Sequence, residues 1–192
     1  MESDVLASAS LHSSAWEGAL CCGDKAPNVT VSHLGGAPVK LGDLWAKGPL
    51  VLLFHPGDRS GYGARQTRDW LPLEAELLRL GASVAVAWLR DPGHAIEAVT
   101  QGSPVFANLR DEDLRAAFAF GIAVAMPATY LIGRDGRIVC ADLAADTGQA
   151  EPADFVSVIE RLSFMPESSL SLRRRQGIAA AGASVLRPLP YA

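Results

Sequence analysis

The sequence predicts one α/β domain built on a central mixed β-sheet flanked by helices, with a β-hairpin extension on its N-terminal side. Three observations carry that expectation. First, "PLVLLFH" (49–55) and "ASVAVAWL" (82–89) are continuous apolar runs of strand length, the pattern of strands covered on both faces. Second, Trp70, Leu73, Leu77 and Leu80 between them recur at three- and four-residue spacing, the apolar stripe of an amphipathic helix. A strand, helix, strand unit of this kind crosses over right-handed and leaves its strands parallel. Third, "MPATYLIGRDGRIVCADL" reads as two strands joined by a turn at Arg134-Asp135-Gly136, which adds an antiparallel pair.

The remaining elements follow in order. "PNVTVSHLGGAPVKLGDLWAKG" (27–48) gives a short strand, a Gly-Gly turn, a second short strand and a helical turn, which makes the hairpin. The helix after the first apolar run spans Ser60 to about Leu80, and Pro72 inside it removes the hydrogen bond to the Arg68 carbonyl, predicting a kink. A helix near 93–102, a strand in "PVFANL" (104–109) and a helix through "DEDLRAAFAFG" (111–121) come next. The last helix, "EPADFVSVIERL" (151–162), has Pro152 just inside its start and Phe155, Val158, Ile159 and Leu162 on its apolar face. This sets an N-terminal extension over 1–22, a domain over 23–163 and a loosely held tail over 164–192, where Ser, Ala, Gly and Arg follow no sustained period.

Composition narrows the function. With 192 residues, 49% hydrophobic and 20% charged, the chain buries one good core. A net charge of −4 offers no clustered positive surface for nucleic acid, and the one basic run, "LRRR" at 172–175, reads as a solvated tail segment. No run approaches the roughly 18 apolar residues of a membrane span, and the acidic N-terminus lacks the basic and apolar regions of a secretory signal. A cytoplasmic location is the expectation. Cys21, Cys22 and Cys140 are odd in number and lack metal-ligand spacing, so free thiols and no metal are expected.

"GDKAPNVTV", "FHPGDRSGYGARQ", "FGIAVAMPATYLIGRDG" and the final helix, in that order over residues 23 to about 163, resemble the peroxiredoxin-like members of the thioredoxin superfamily, the alkyl hydroperoxide reductase/thiol-specific antioxidant group. The resemblance implies a thioredoxin-like fold and gives Pro127 the place of the family's cis-proline. It also exposes a gap. Aligned on Tyr62, a Cys-Pro-Tyr-Cys segment of similar relatives places its cysteines at Ser60 and Gly63. Aligned on the Pro-x-x-x-Thr-x-x-Cys pattern of typical peroxiredoxins, Pro56 and Ser60 match and Gly63 takes the peroxidatic position. Either way the nucleophile is absent, and a serine hydroxyl neither ionises near neutral pH nor enters the thiol oxidation ladder. The arginine of typical peroxiredoxins near the cis-proline strand also has no counterpart.

The environment of that chemistry remains. A helix starting near Ser60 directs backbone N–H groups and its positive dipole end at the vacated position, which suits an anion or a carbonyl oxygen. The family topology gathers His55, Asp58, Arg59, Ser60, Tyr62 and Arg65 there, with Met126 and Pro127 opposite. Ser60, Tyr62 and His55 are the candidates for proton handling and polarisation, and Asp58, Arg59, Arg65, Met126 and Pro127 for binding. Against these stand plainer roles: Ser60 as a helix N-cap, His55 as a packed strand-end residue, Arg65 as a solvated helix residue. The resulting expectation is a redox-inactive peroxiredoxin-like protein whose former thiol pocket binds a small acid or carbonyl compound, as a cofactor-independent enzyme or as a binder. One alternative is an interaction protein that uses the fold to form a homodimer or dock a partner enzyme. Another is an atypical thiol peroxidase working through Cys140 or the Cys21-Cys22 pair.

Overall fold

The computed structural model describes residues 18–55, 67–90, 103–122, 127–143 and 150–164. Its elements are β1 (Thr30–His33), β2 (Pro38–Lys40), α1 (Leu41–Trp45), β3 (Leu50–His55), a 3-10 turn (Leu71–Leu73), α2 (Glu74–Arg79), β4 (Ser83–Trp88), β5 (Phe106–Arg110), α3 (Arg115–Ala119), β6 (Ala128–Ile132), β7 (Ile138–Leu143) and α4 (Pro152–Phe164). The seven strands form one sheet in the order β2-β1-β5-β4-β3-β6-β7. β3 pairs parallel with β4, and β4 parallel with β5. The β1–β2, β1–β5, β3–β6 and β6–β7 pairs are antiparallel. The sheet is therefore mixed, with helices packed on both faces and the predicted hairpin at one edge.

Period-two alternation along β3 splits the core. Leu50, Leu52 and Phe54 face one layer with Ala85, Ala87, Leu109, Tyr130 and Ile132, covered by Leu41 and Trp45 of α1 and by Ala116, Ala117 and Phe120 at α3. Val51 and Leu53 face the other with Val84, Val86, Trp88 and Leu131, covered by Trp70, Leu77 of α2, and Phe155, Val156 and Ile159 of α4. Phe54, Phe120 and Tyr130 form a ring cluster with centroids 5.0 to 6.1 Å apart, the tilted and edge geometry that the ring quadrupoles favour.

Three elements depart from their expected form. The chain is helical at 67–69, turns at Trp70 and re-forms as a 3-10 turn before α2. A break rather than a kink results because Pro72 has no N–H to give, and the turn is held instead by short-range bonds from Trp70 N–H to Thr67 O (3.2 Å) and Leu73 N–H to Trp70 O (3.1 Å). The expected start of this helix at 60–66 and the expected helix at 93–102 lie outside the described residues, as do 1–17 and the tail from 165. The helix expected from Asp111 begins four residues later at Arg115. Leu114 takes a left-handed conformation (φ 56°), which bends the chain back so that the buried Asp111 carboxylate accepts Ala116 N–H at 3.1 Å and Ala117 N–H at 2.9 Å. This cap acts from five and six residues away. Third, a bulge between Leu131 and Ile132 pairs Leu131 with Cys140 and Ile132 with Ile138, so Ile138 and Cys140, expected on one face, enter opposite core layers.

The segment before the domain is pinned to it: Leu20 N–H bonds Phe120 O at 3.0 Å, and Gly23 N–H bonds Ile138 O at 2.8 Å. Gly121 makes the first contact feasible, since its φ is +70° and a Cβ there would run into the Gly18 carbonyl. Gly36 has a similar φ of +86° with open space around it. Gly36→Ala is therefore expected to cost only the left-handed penalty, about 1–2 kcal/mol, and Gly121→Ala clearly more, in denaturant unfolding at equilibrium. Equal losses would show that the 18–20 segment does not press on Gly121. In the same assay Asp111→Ala, which strands two buried N–H donors, is expected to lose about 3 kcal/mol, and Asp111→Asn, which keeps one acceptor oxygen, roughly half of that.

Candidate functional site

Three parallel strands end at one edge of the sheet, and β6, antiparallel to β3, begins there. Register sets what meets at that edge. His55 pairs with Trp88, and Trp88 with Arg110. Phe54 pairs with Ala128, and continuing by one residue sets Pro127 across from His55. The row Pro127, His55, Trp88, Arg110 thus crosses the carboxyl ends of the strands, where open α/β sheets place their ligands.

All four residues belong to the face covered by α2 and α4, because each lies an even number of positions from a residue of that core layer. The imidazole of His55 is stacked on the Trp88 indole, with centroids 5.0 Å apart and planes at 22°. His55 is 1% exposed. The structure therefore puts His55 at the strand end as expected and in a packed setting. Pro127 is half-buried just before β6; the peptide bond preceding it involves Met126, outside the described residues. Asp58, Arg59, Ser60, Tyr62, Gly63 and Arg65 also lie outside them, so of the expected site residues the structure brings together His55 and Pro127.

Two hollows are present, and the second of them is lined by residues of this row. One, of about 120 Å³, lies between Asp69, Trp70 and Thr129 on one side and Glu151, Pro152 and Phe155 at the start of α4 on the other. The second, of about 220 Å³, lies at the ends of β4 and β5 and is lined by Trp88, Leu89, Arg90, Arg110 and Glu112. Sequence reasoning missed Arg110 and Trp88. The available signal was a charged or amphipathic residue terminating an apolar strand, since in a parallel sheet such residues converge on one edge. Among the described residues no group of three or more His, Cys, Asp or Glu side chains could hold a metal ion, and no helix there is long and apolar enough to cross a membrane.

The thiols sit elsewhere. Cys140 is buried in β7 opposite Leu131, which pairs with Val51, four residues and about 13 Å back along β3 from His55. Burial, then the charge of Cys22, pushes its pKa up to about 12. Cys21 and Cys22 are exposed, and neighbouring Gly23 bonds Ile138, which is level with Leu50 at the far end of β3. The Cys21 thiol donates to Asp24 Oδ2 at 3.4 Å. Burial, then that hydrogen bond and the charges of Asp24 and Cys22, raise its pKa. Tyr130, whose hydroxyl is buried with no hydrogen-bond partner among the described residues, has its pKa raised by burial first and then by Cys21 and Asp24.

Known proteins fit this geometry. Peroxidoxin BcpB from Mycobacterium tuberculosis is similar in structure, with a TM-score of 0.61 at 19% identity, covering 74% of this chain and 97% of its own. Reduced Prx3 from Vibrio vulnificus in complex with hydrogen peroxide gives 0.62 at 18% identity, covering 76% and 99%. The yeast mitochondrial 1-Cys peroxiredoxin gives 0.64 at 14% identity, covering 89% and 84%. At these identities the likeness shows the fold, which is thioredoxin-like. No curated protein matches the sequence. The AhpC/TSA family profile matches residues 22–141, more than half of the chain, and the protein belongs to the AhpC/TSA family.

Proposed function

We propose that this protein is a redox-inactive member of its family whose strand-end region, around His55 and Pro127, binds a small molecule. The observation that carries this is the location of its thiols. Peroxide reduction and disulfide exchange run through a thiolate held near a helix start or a cation. No cysteine occurs between Phe54 and Gln66, and the three that exist lie back along the sheet from the carboxyl end of β3. Cys140, with a pKa of about 12, is ionised at pH 7 to roughly one part in 10⁵. Cys21 is pushed in the same direction.

The strand-end row supports the binding half of the reading. Its polar groups are His55, buried against the Trp88 indole, and the partly exposed Arg110, its apolar groups are that indole and the half-buried Pro127 ring, and one hollow opens beside Arg110. That combination, apolar walls with a few convergent polar groups, is the common composition of a small-molecule site. The imidazole is the proton-handling group within reach of this edge. The reading calls for no cofactor, and turnover of the bound compound would be non-redox chemistry.

Two measurements test it. In the presence of a thiol reductant, purified protein is expected to leave peroxide undiminished beyond buffer background, as is the Cys21→Ser/Cys22→Ser/Cys140→Ser variant. Rapid decay by the wild type, lost in the variant, would replace this reading with a thiol peroxidase. Under native conditions at neutral pH, alkylation followed by peptide mass mapping is expected to modify Cys21 and Cys22 and to reach Cys140 only after denaturation. Modification of Cys140 at a rate comparable to the exposed pair would sink the picture of a buried, protonated thiol.

A further inference from the structure

We propose that Cys21 and Cys22 form a disulfide switch: exchange with a small disulfide closes the two adjacent thiols into an intramolecular bond, and a thiol reductant reopens it. The inference is independent of the small-molecule reading at the strand-end edge. It starts from how the pair is held. Both cysteines are free and exposed, and they lie in a short strap whose backbone is fixed to the domain on either side. Leu20 N–H donates to Phe120 O at 3.0 Å, Gly23 N–H to Ile138 O at 2.8 Å and Ile138 N–H to Asp24 O at 2.9 Å. Between these anchors the chain makes a turn closed by Asp24 N–H to Cys21 O at 3.2 Å, and Asp24 Oδ2 accepts Cys21 N–H at 2.9 Å. The strap thus presents two neighbouring thiols to solvent from a backbone that is tied down, where a small reagent reaches both.

The two sulfurs are not equivalent. The Cys21 thiol donates to Asp24 Oδ2 at 3.4 Å, and burial, that bond and the carboxylate's charge all oppose its ionisation. Among the described residues the Cys22 sulfur has no such hydrogen bond. Cys22 is therefore the entering nucleophile and Cys21 the resolving one. In the first step the Cys22 thiolate attacks one sulfur of the small disulfide, forming a mixed disulfide and releasing one thiolate. In the second the Cys21 sulfur attacks the Cys22 sulfur and the other thiolate leaves, while the Cys21 proton passes to the carboxylate it already faces and on to the leaving group. Two protein thiols are oxidised, and one small disulfide is reduced to two thiols that take up the two protons. Geometry sets the character of the bond. Adjacent Cα atoms are about 3.8 Å apart across a trans peptide, short of the roughly 4.4–6.8 Å that disulfides usually span, so the ring closes under strain. Strained and exposed disulfides are readily reduced, which is the property of a regulatory bond and not of a structural one. Closing the ring re-forms the turn between its anchors, and those anchors are Phe120 and Ile138, both in the core layer that holds Phe54 and Tyr130. The exchange is stoichiometric and is not turnover, so it stands beside the redox-inactive reading of the strand-end edge.

The test is incubation of the reduced full-length protein with oxidised glutathione under native conditions, followed by alkylation of the remaining thiols and peptide mass mapping. The peptide that carries both cysteines is expected to lose two hydrogens and to escape alkylation at both positions, with one small disulfide consumed per chain, and excess reduced glutathione is expected to restore both thiols. Cys21→Ser is expected to stop at a mixed disulfide on Cys22. Cys22→Ser is expected to form its adduct on Cys21 at least about fivefold more slowly than Cys21→Ser does on Cys22, and adding Asp24→Asn to it recovers part of that rate by removing the opposing charge. Asparagine keeps an oxygen for the Cys21 N–H, and the two serine changes fall on exposed side chains, so the variants read out thiol chemistry in a folded chain. Three results overturn the proposal: no loss of either thiol, two separate glutathione adducts that persist without closing the ring, or a cross-link that joins Cys22 to Cys140. Equal adduct rates in the two single variants would overturn the assignment of Cys22 as the entering thiol.

Discussion

Everything in this fold depends on β3 being buried on both faces and paired on both edges. Its six residues are between 0% and 1% exposed, with β4 on one side and β6 on the other. A strand so enclosed has no freedom of register, because a one-residue slip would exchange the layer of Leu50, Leu52 and Phe54 for that of Val51 and Leu53. At roughly 1.5–3 kcal/mol for each large apolar side chain fully buried, those five side chains and their covers outweigh any local preference. The position of His55 follows: it is the next odd residue after Val51 and Leu53, so it faces α2 and α4 and meets Trp88 one strand over.

The same register separates chemistry from stability. The two core layers are assembled from β1, β3 to β7, α1 to α4, the turn at Trp70 and Ala26 ahead of β1. A thiol inside the sheet is in a different environment from one at a helix start. Cys140 is placed by the packing of β7 against β6, and the desolvation that makes it a good core residue holds it protonated.

Much of this was readable from sequence where one periodicity dominates. The apolar runs of β3 and β4, the hairpin of β1 and β2, the antiparallel β6 and β7 and the Pro152 start of α4 all follow from local pattern. The failures share a cause, which is that a single residue acts through geometry that pattern does not encode. Pro72 breaks its helix because short-range bonds to Thr67 and Trp70 offer the chain a tighter turn. The extra residue Val139 at the bulge reverses which face Cys140 takes, and no hydrophobic alternation reveals a bulge in advance. Asp111 caps α3 across a left-handed Leu114, a residue type with no preference for that conformation. Of the site, sequence placed His55 and Pro127 at one edge, by resemblance rather than by pattern. It missed Arg110, because which strand ends lie side by side is a property of strand order.

Strand order also explains why polar groups collect at this edge and not the opposite one. With β3, β4 and β5 parallel, their carboxyl ends bring the last side chains of three strands side by side, while β6 enters antiparallel and supplies its first residues to the same place. At the other end, Leu50 lies beside Ile132 and Ser83, and the segment from Gly23 to Ala26 covers the start of β7 through hydrogen bonds to Ile138 and Gly136. That end is closed by backbone pairing and apolar contact. The carboxyl edge is closed by the buried His55–Trp88 stack, with Arg110 partly exposed beside it. The thiols are held at mid-sheet and the opposite end. The asymmetry belongs to the topology: three parallel strands ending together set an imidazole, an indole and a guanidinium side by side at one edge.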